Sequence, residues 1–247
     1  MSFRFALPCL LALGSAAQAL DLSAMTDAER TAFQAEIRAY ILENPEIVRE
    51  AIGVLQQREQ FAQAQNDVTL AQQNADALFN DGHSFVGGNP SGDITIVEFM
   101  DYRCGFCKRA YPELQAVLSN DPNIRYIIKE FPILGEASVL ASRYAIATQL
   151  VAGDDVYEDV HNTLMEFQGD INDQVLSRLS DSFGLDHAAV TTMMDDTQVT
   201  KIIAENRALA QKLQITGTPT FVVEDQMLRG FLPADEMLQV VAELRSE

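Results

Sequence analysis

The chain has 247 residues, 17 of them basic and 36 acidic, for a formal charge of −19; 47% are hydrophobic and none is tryptophan. That mixture belongs to a folded protein with a substantial core, and it excludes collagen-like, low-complexity and wholly disordered chains. So negative a field argues against nucleic acid and anionic lipid as partners, and three cysteines are too few for a disulfide-stapled scaffold.

Residues 1–19 read as a cleavable secretory signal, with Arg4 ahead of a short apolar core and Ala17-Gln18-Ala19 as the cleavage pattern. The apolar stretch falls short of the roughly 20 residues needed to span a bilayer, and no later stretch approaches that length, so no membrane insertion is expected. Cleavage removes Cys9 and leaves Cys104 and Cys107 in an oxidising compartment.

Residues 20–80 are polar-helical. Phe33, Ile37, Tyr40 and Ile41 recur at helical spacing behind Thr26-Asp27, where Asp27 is a candidate cap. Asn44-Pro45 breaks the segment, and a second helical run covers 45–79. Its apolar face (Val48, Ile52, Leu55, then Phe61, Ala62, and later Val68, Leu70 and Leu78) is thin and diluted by Gln56, Gln57, Gln60, Gln63 and Gln65. Two readings stand side by side: a helical stalk, or an oligomerisation element whose burial is completed by partner chains in a dimer or trimer.

The cluster of Gly, Asn, Pro and Ser over 81–92 reads as a loop that opens the main domain, 81–247. Buried strands are expected at 94–100 and 124–131, with a helix over 104–118 between them, carrying Pro112 in its interior. Residues 135–213 are almost wholly helical in pattern, with breaks near Gly153, Gly169 and Phe183-Gly184. Two short strands, 220–223 and 227–229, then form a hairpin, and 233–245 closes the chain as an amphipathic helix. The fold class is therefore α/β. Its order is that of a thioredoxin-like fold with a helical domain inserted before the hairpin and a helical segment ahead of it.

Cys104-Gly105-Phe106-Cys107 sits where strand passes into helix. The first sulfur lies at a helix N-terminus, where free N–H groups and the dipole favour a thiolate. Cys107 lies one turn on, within reach of a mixed disulfide formed at Cys104; Gly105 and Phe106 fill the turn. Cys104 is thus the expected attacking sulfur and Cys107 the resolving one. A structural disulfide across two residues would close a very small ring and stabilise little. A zinc site would need two more ligands, and His83, His161 and His187 stand apart. A different class of reading has the two thiolates hold copper(I). Eight methionines invite it, but apart from Met193-Met194 they are scattered through apolar helical positions that suit core packing. No metal and no cofactor is expected, since the two sulfurs hold the electrons.

Thr218-Pro219 immediately precedes the hairpin. In a thioredoxin-like layout this position carries a cis bond beside the sulfurs and offers backbone for an extended substrate to pair with. Glu98 alternates with Ile94, Ile96 and Met100 on one apolar strand face. It reads as a semi-buried acid beneath Cys107, relaying protons, or else as an edge carboxylate in solvent. Lys129 on the neighbouring strand is the partner guessed for it. Arg103, Lys108, Arg109 and Lys129 are expected to gather round the sulfurs and favour the thiolate.

The segments IVEFMDYRCGFCKRAYPEL, KEFPILG and TGTPTFVV together resemble the DsbA-like thiol:disulfide interchange proteins, and AEIRAYILENPEIVREAI resembles the small N-terminal domain of the ScsC (suppressor of copper sensitivity) group. The resemblance implies a periplasmic enzyme that oxidises, reduces or isomerises disulfides of other exported proteins. It places the nucleophile at Cys104, the resolving thiol at Cys107, the cis-proline and its neighbour at Pro219 and Thr218, and the buried acid at Glu98. A Gly-Phe dipeptide between the cysteines resembles the Gly-Tyr of isomerases more than the Pro-His of the strong oxidant. The expected activity is therefore isomerase or reductase, kept reduced by a membrane redox partner, with a disulfide-donating oxidase as the alternative.

Overall fold

The computed structural model describes residues 23–246, so the expected signal at 1–19 lies outside the described residues. The chain divides into two compact units, with the division between Arg58 and Glu59.

The first unit holds α1 (Asp27–Glu43) and the beginning of α2 (Glu46–Gln73). The residue that caps α1 is Thr26, not Asp27: its hydroxyl accepts from the Glu29 N–H while the Glu29 carboxylate accepts from the Thr26 N–H at 2.9 Å. Such a reciprocal box satisfies two N–H groups that the helix leaves unpaired, and a cap of this kind stabilises by about 1 kcal/mol. No residue of α1 is buried, and Tyr40, Leu42, Ile52 and Leu55 are each about half exposed or more.

The second unit is built on a five-stranded sheet of order β1-β3-β2-β4-β5. Its strands are β1 (Phe85–Gly88), β2 (Ile94–Met100), β3 (Ile124–Glu130), β4 (Thr220–Val223) and β5 (Gln226–Arg229). The central pair β2 and β3 runs parallel, joined through α4 (Gly105–Asn120), and every other pairing is antiparallel. Five helices follow β3: α5 (Glu136–Ala152), α6 (Asp154–Glu166), α7 (Asp173–Ser182), α8 (His187–Met194) and α9 (Thr197–Lys212). The chain ends in α10 (Ala234–Arg245). Helix α4 runs through Pro112 without interruption.

Both faces of the sheet are covered. Ile94, Ile96, Met100, Tyr126, Ile128 and Phe221 face a core shared with α4, α5, α6, α8 and α10. Val97, Phe99, Ile127 and Val222 face a smaller one closed by Ala71, Leu78, Leu209 and Leu213. This second core moves the expected boundary. The end of α2 and the short α3 (Ala75–Phe79) belong to the sheet domain, because Ala71 and Leu78 are sealed under it and buried Asp67 pairs with Arg229 of β5 at 2.8 Å.

Strand β1 stands where a loop was expected. Gly87 and Gly88 read as turn residues in the sequence, yet they continue an antiparallel ladder with Tyr126 and Arg125. Gly88 has a φ of 63°, and a Cβ there would lie 2.5 Å from the Ile124 carbonyl oxygen, so close approach of the β3 backbone requires glycine.

Candidate active site

Cys104 is the N-cap of α4, and its own carbonyl accepts from the Lys108 N–H at 3.0 Å. The preceding turn is pinned by Asp101, which is fully buried. One carboxylate oxygen accepts from the Arg103 N–H at 2.8 Å; the other accepts from the N–H groups of Ile133 and Leu134 at 2.8 and 3.1 Å. Asp101 thus ties the cysteine turn to the loop after β3, a role the sequence reading missed. Its signal was an Asx-type turn, an aspartate two residues ahead of the N–H it accepts from.

Both cysteines are free thiols. Cys104 is held at about 5, well below a free cysteine: the Cys107 thiol hydrogen-bonds it, and the Thr218 side chain and the N–H groups of Cys107 and Phe106 add to that against the opposing cost of burial. Cys107 is completely buried, and burial pushes its thiol far up, reinforced by its bond to Cys104 and by the charge of Glu98. The pair is therefore split into one sulfur poised as an anion and one kept as a neutral thiol.

The Thr218–Pro219 bond is cis, and the Thr218 carbonyl oxygen lies 3.1 Å from the Cys104 sulfur. Gly105 has open space where a Cβ would project, and Phe106, two residues after Cys104, is 55% exposed. The Arg109 guanidinium stacks 4.3 Å from the Phe106 ring centroid.

Glu98 sits on a central strand, which removes the edge-carboxylate alternative, and only 1% of it is exposed. It is raised to about 7, chiefly by burial, with a hydrogen bond from Tyr126 opposing and the charges of Cys104 and Glu130 adding. The Tyr126 hydroxyl donates to one carboxylate oxygen, and the other, Oε1, is buried without a partner.

Lys129 does not pair with Glu98. In the parallel register Glu98 lies beside Ile128 and Lys129 beside Phe99, so the two side chains leave the sheet on opposite faces. The buried Lys129 ammonium donates to the Ala77 carbonyl at 2.9 Å and pairs with Asp81. Lys129 thus leaves the expected basic cluster, while Arg103 and Lys108 stay near enough for their charges to interact. Arg103 faces Asp170 at 3.5 Å, and Lys108 donates to the Leu164 carbonyl at 3.1 Å and to that of Phe167. The groups that hold the Cys104 thiolate are instead a thiol, a threonine side chain and backbone N–H groups.

A further buried acid escaped the sequence reading. Glu130, 3% exposed, accepts from Tyr102 at 2.7 Å, Tyr157 at 2.8 Å and Ser142 at 2.6 Å. The alternation that singled out Glu98 within an apolar strand also marks Glu130, which shares a face with Tyr126 and Ile128.

The comparisons with known proteins agree with this geometry. The DSBA-like thioredoxin domain family matches residues 95–244, and the copper resistance protein ScsC N-terminal domain matches residues 29–62. A thioredoxin-like oxidoreductase from Silicibacter pomeroyi DSS-3 is 42% identical, covering 70% of this chain and 99% of that one, with a TM-score of 0.66. Proteus mirabilis ScsC in a transitional conformation is 28% identical over 90% of this chain and 98% of its own, with a TM-score of 0.64. Disulfide bond formation protein D of Bacillus subtilis is 25% identical, over 62% of this chain and 73% of its own length. The chain spans 22% of the length of the Salinispora arenicola Na(+)/H(+) antiporter NhaA 1, which it matches at 27% identity. With the family's match running from β2 through both cysteines and the cis-proline to α10, the chain belongs to the DSBA-like thioredoxin domain family.

Proposed function

We propose that the protein is a thiol:disulfide interchange enzyme acting on exported proteins, in the isomerase or reductase direction. The observation that carries this reading is the division of labour between the sulfurs: Cys104 held near 5 at the start of α4, Cys107 buried and neutral behind it. The Cys104 thiolate attacks a substrate disulfide, forming one S–S bond and releasing the second substrate sulfur as a thiolate. Thr218 and Pro219 supply the backbone edge along which the substrate strand lies. Either a substrate thiol then attacks the mixed disulfide, which completes an isomerisation, or Cys107 does so and leaves the substrate reduced. Glu98 takes the Cys107 proton in that second step. No cofactor enters.

Direction is argued from the thiolate. A more stable thiolate favours the reduced enzyme and makes its disulfide more oxidising. Cys104 at about 5 lies between thioredoxin, about 7, and DsbA, about 3.5. That intermediate poise suits isomerisation, and it also favours the oxidase as the second reading. A copper(I) site is supported less, because its second thiolate would have to form at buried Cys107.

In the first unit, the exposed apolar side chains of α1 and early α2 support assembly of two or three copies of this chain through these helices. Export by the segment 1–19, a periplasmic location and a membrane partner that keeps the pair reduced complete the reading. No helix among the described residues is long and apolar enough to cross a membrane. The test is refolding of scrambled ribonuclease by the full mature chain and by a chain beginning at residue 59. Activity that falls with the truncation supports an oligomeric isomerase. Failure to rescue scrambled ribonuclease, with rapid oxidation of the reduced form, turns the assignment to the oxidase.

A further inference from the structure

We propose that Glu130 is a positioning residue of the redox site, fixing Tyr102 ahead of the Cys104 turn and, through its own charge, controlling the protonation of Glu98. The inference rests on the reading of Glu98 as the group that takes the Cys107 proton.

Three features of the packing lead there. First, Glu130 and Glu98 emerge from adjacent parallel strands on the same face. Glu98 is in register with Ile128, and Glu130 lies two residues further along β3. Residues so related across a ladder are diagonal neighbours, roughly 7–8 Å apart at Cα. Carboxylates at neighbouring positions of one buried face repel one another when both are ionised, and the charge of Glu130 is among the causes that raise Glu98. Secondly, Glu130 is held by three hydroxyls from three separate segments: Tyr102 before the cysteines, Ser142 on α5 and Tyr157 on α6. Tyr102 also meets the buried His161 Nδ1 at 3.1 Å, and the His161 Nε2 has no partner. With the Tyr102 hydroxyl donating to Glu130, His161 donates from Nδ1 and its Nε2 carries no proton, which suits a ring that burial keeps neutral. Thirdly, nothing in the attack by Cys104 uses this cluster, although hydroxyls and a carboxylate buried beneath a redox pair are costly to maintain.

The remaining groups facing the two acids are few. Asp101 raises Glu130, Tyr126 donates to Glu98, the charge of Cys104 raises Glu98, and the charge of Glu98 raises Cys107. Burial lifts both acids to about 7, so near neutral pH they compete for protons. When Glu130 holds its proton, Glu98 ionises more readily and accepts the proton of Cys107. The Cys107 sulfur then bonds to Cys104, the Cys104–substrate bond breaks, and the substrate cysteine leaves with the electron pair.

The experiment is a carboxyl-carbon NMR titration of the full reduced protein, with Glu98 assigned by its loss in Glu98→Gln. Glu130→Gln removes the neighbouring charge, so the Glu98 midpoint falls by about half to one pH unit, a three- to tenfold gain in the ratio of ionised to protonated Glu98 at a fixed pH. A midpoint within about 0.2 unit of the parent overturns the coupling, since a purely structural role would lower stability and leave it unmoved. Should Glu130→Gln fail to fold, Tyr157→Phe removes one donor, leaves Glu130 protonated to higher pH, and must move Glu98 in the same direction; no movement overturns the proposal equally. The underlying reading fails separately, if Glu98→Gln leaves the pH profile of mixed-disulfide resolution unchanged.

Discussion

The Cys104 sulfur lies 3.1 Å from the carbonyl oxygen of Thr218, across a cis bond to Pro219, so the proposed nucleophile and the backbone edge proposed for its substrate meet at one point. The neutral thiol donates to that carbonyl, and the thiolate draws instead on the Thr218 side chain and the helix N–H groups. Thr218→Val removes one of these supports. It is expected to raise the Cys104 midpoint by about half to one unit and to make the disulfide correspondingly less oxidising. Equilibration with glutathione over a range of ratios measures the change in potential.

Glu98 and Glu130 are carboxylates whose folded values, about 7, lie above the ordinary 4.5. For such acids the folded state binds more protons than the unfolded one, so stability declines as pH rises from about 4.5 to 7. Glu98→Gln removes one of these penalties. It should stabilise the reduced protein by about 1–3 kcal/mol at pH 8 and little at pH 4, while slowing resolution of the mixed disulfide. Urea unfolding at the two pH values separates the effects.

Buried Lys129 pairs with partly buried Asp81 on the face of the sheet opposite Glu98. Burial would raise Asp81, but the bond and charge of Lys129 outweigh it and hold the carboxyl at about 2. Asp81→Asn leaves the lysine charge buried without its counter-ion and is expected to cost about 3–5 kcal/mol. The Cys104 midpoint should stay where it is, since Lys129 faces the other side of the sheet. An equal shift in both would restore Lys129 to the site.

The order of strands and helices and the placement of the cysteines at the head of a helix were legible in the sequence as local patterns of period and spacing, and the cis bond at Pro219 followed from the thioredoxin-like layout and the family resemblance. What failed depended on distant partners. The face on which Lys129 lies is decided by a parallel register that pairs Ile94 with Ile124, and a one-residue slip would have reversed it. Strand β1 was hidden because Gly87 and Gly88 serve close packing against β3 while resembling a turn. Glu130 gains its meaning from Tyr102, Ser142 and Tyr157, which only the fold collects. Leu78 stood on the thin apolar face of residues 45–79, but the polar look of that run concealed that it and Ala71 close the second core.

That last difference is itself testable. A chain starting at residue 59 keeps the whole of the second compact unit and should fold with an unfolding transition close to that of the parent. One starting at residue 81 loses Ala71, Leu78 and the Asp67 partner of Arg229, and should be destabilised by several kcal/mol or fail to fold. Sedimentation of the longer and shorter chains also reads assembly. If the exposed faces of α1 and α2 are covered by other copies, Leu42→Glu with Ile52→Lys should yield monomers.

The central claim is that Cys104 is an anion at neutral pH while Cys107 is not, and titration of thiolate absorbance near 240 nm tests it most directly. With Cys107→Ser as a control for assignment, the reduced protein should show one thiolate forming with a midpoint near 5, lost in Cys104→Ser, and no second thiolate below pH 9. A single midpoint near the free-cysteine value of about 8.5, or two thiolates forming together, would contradict the account.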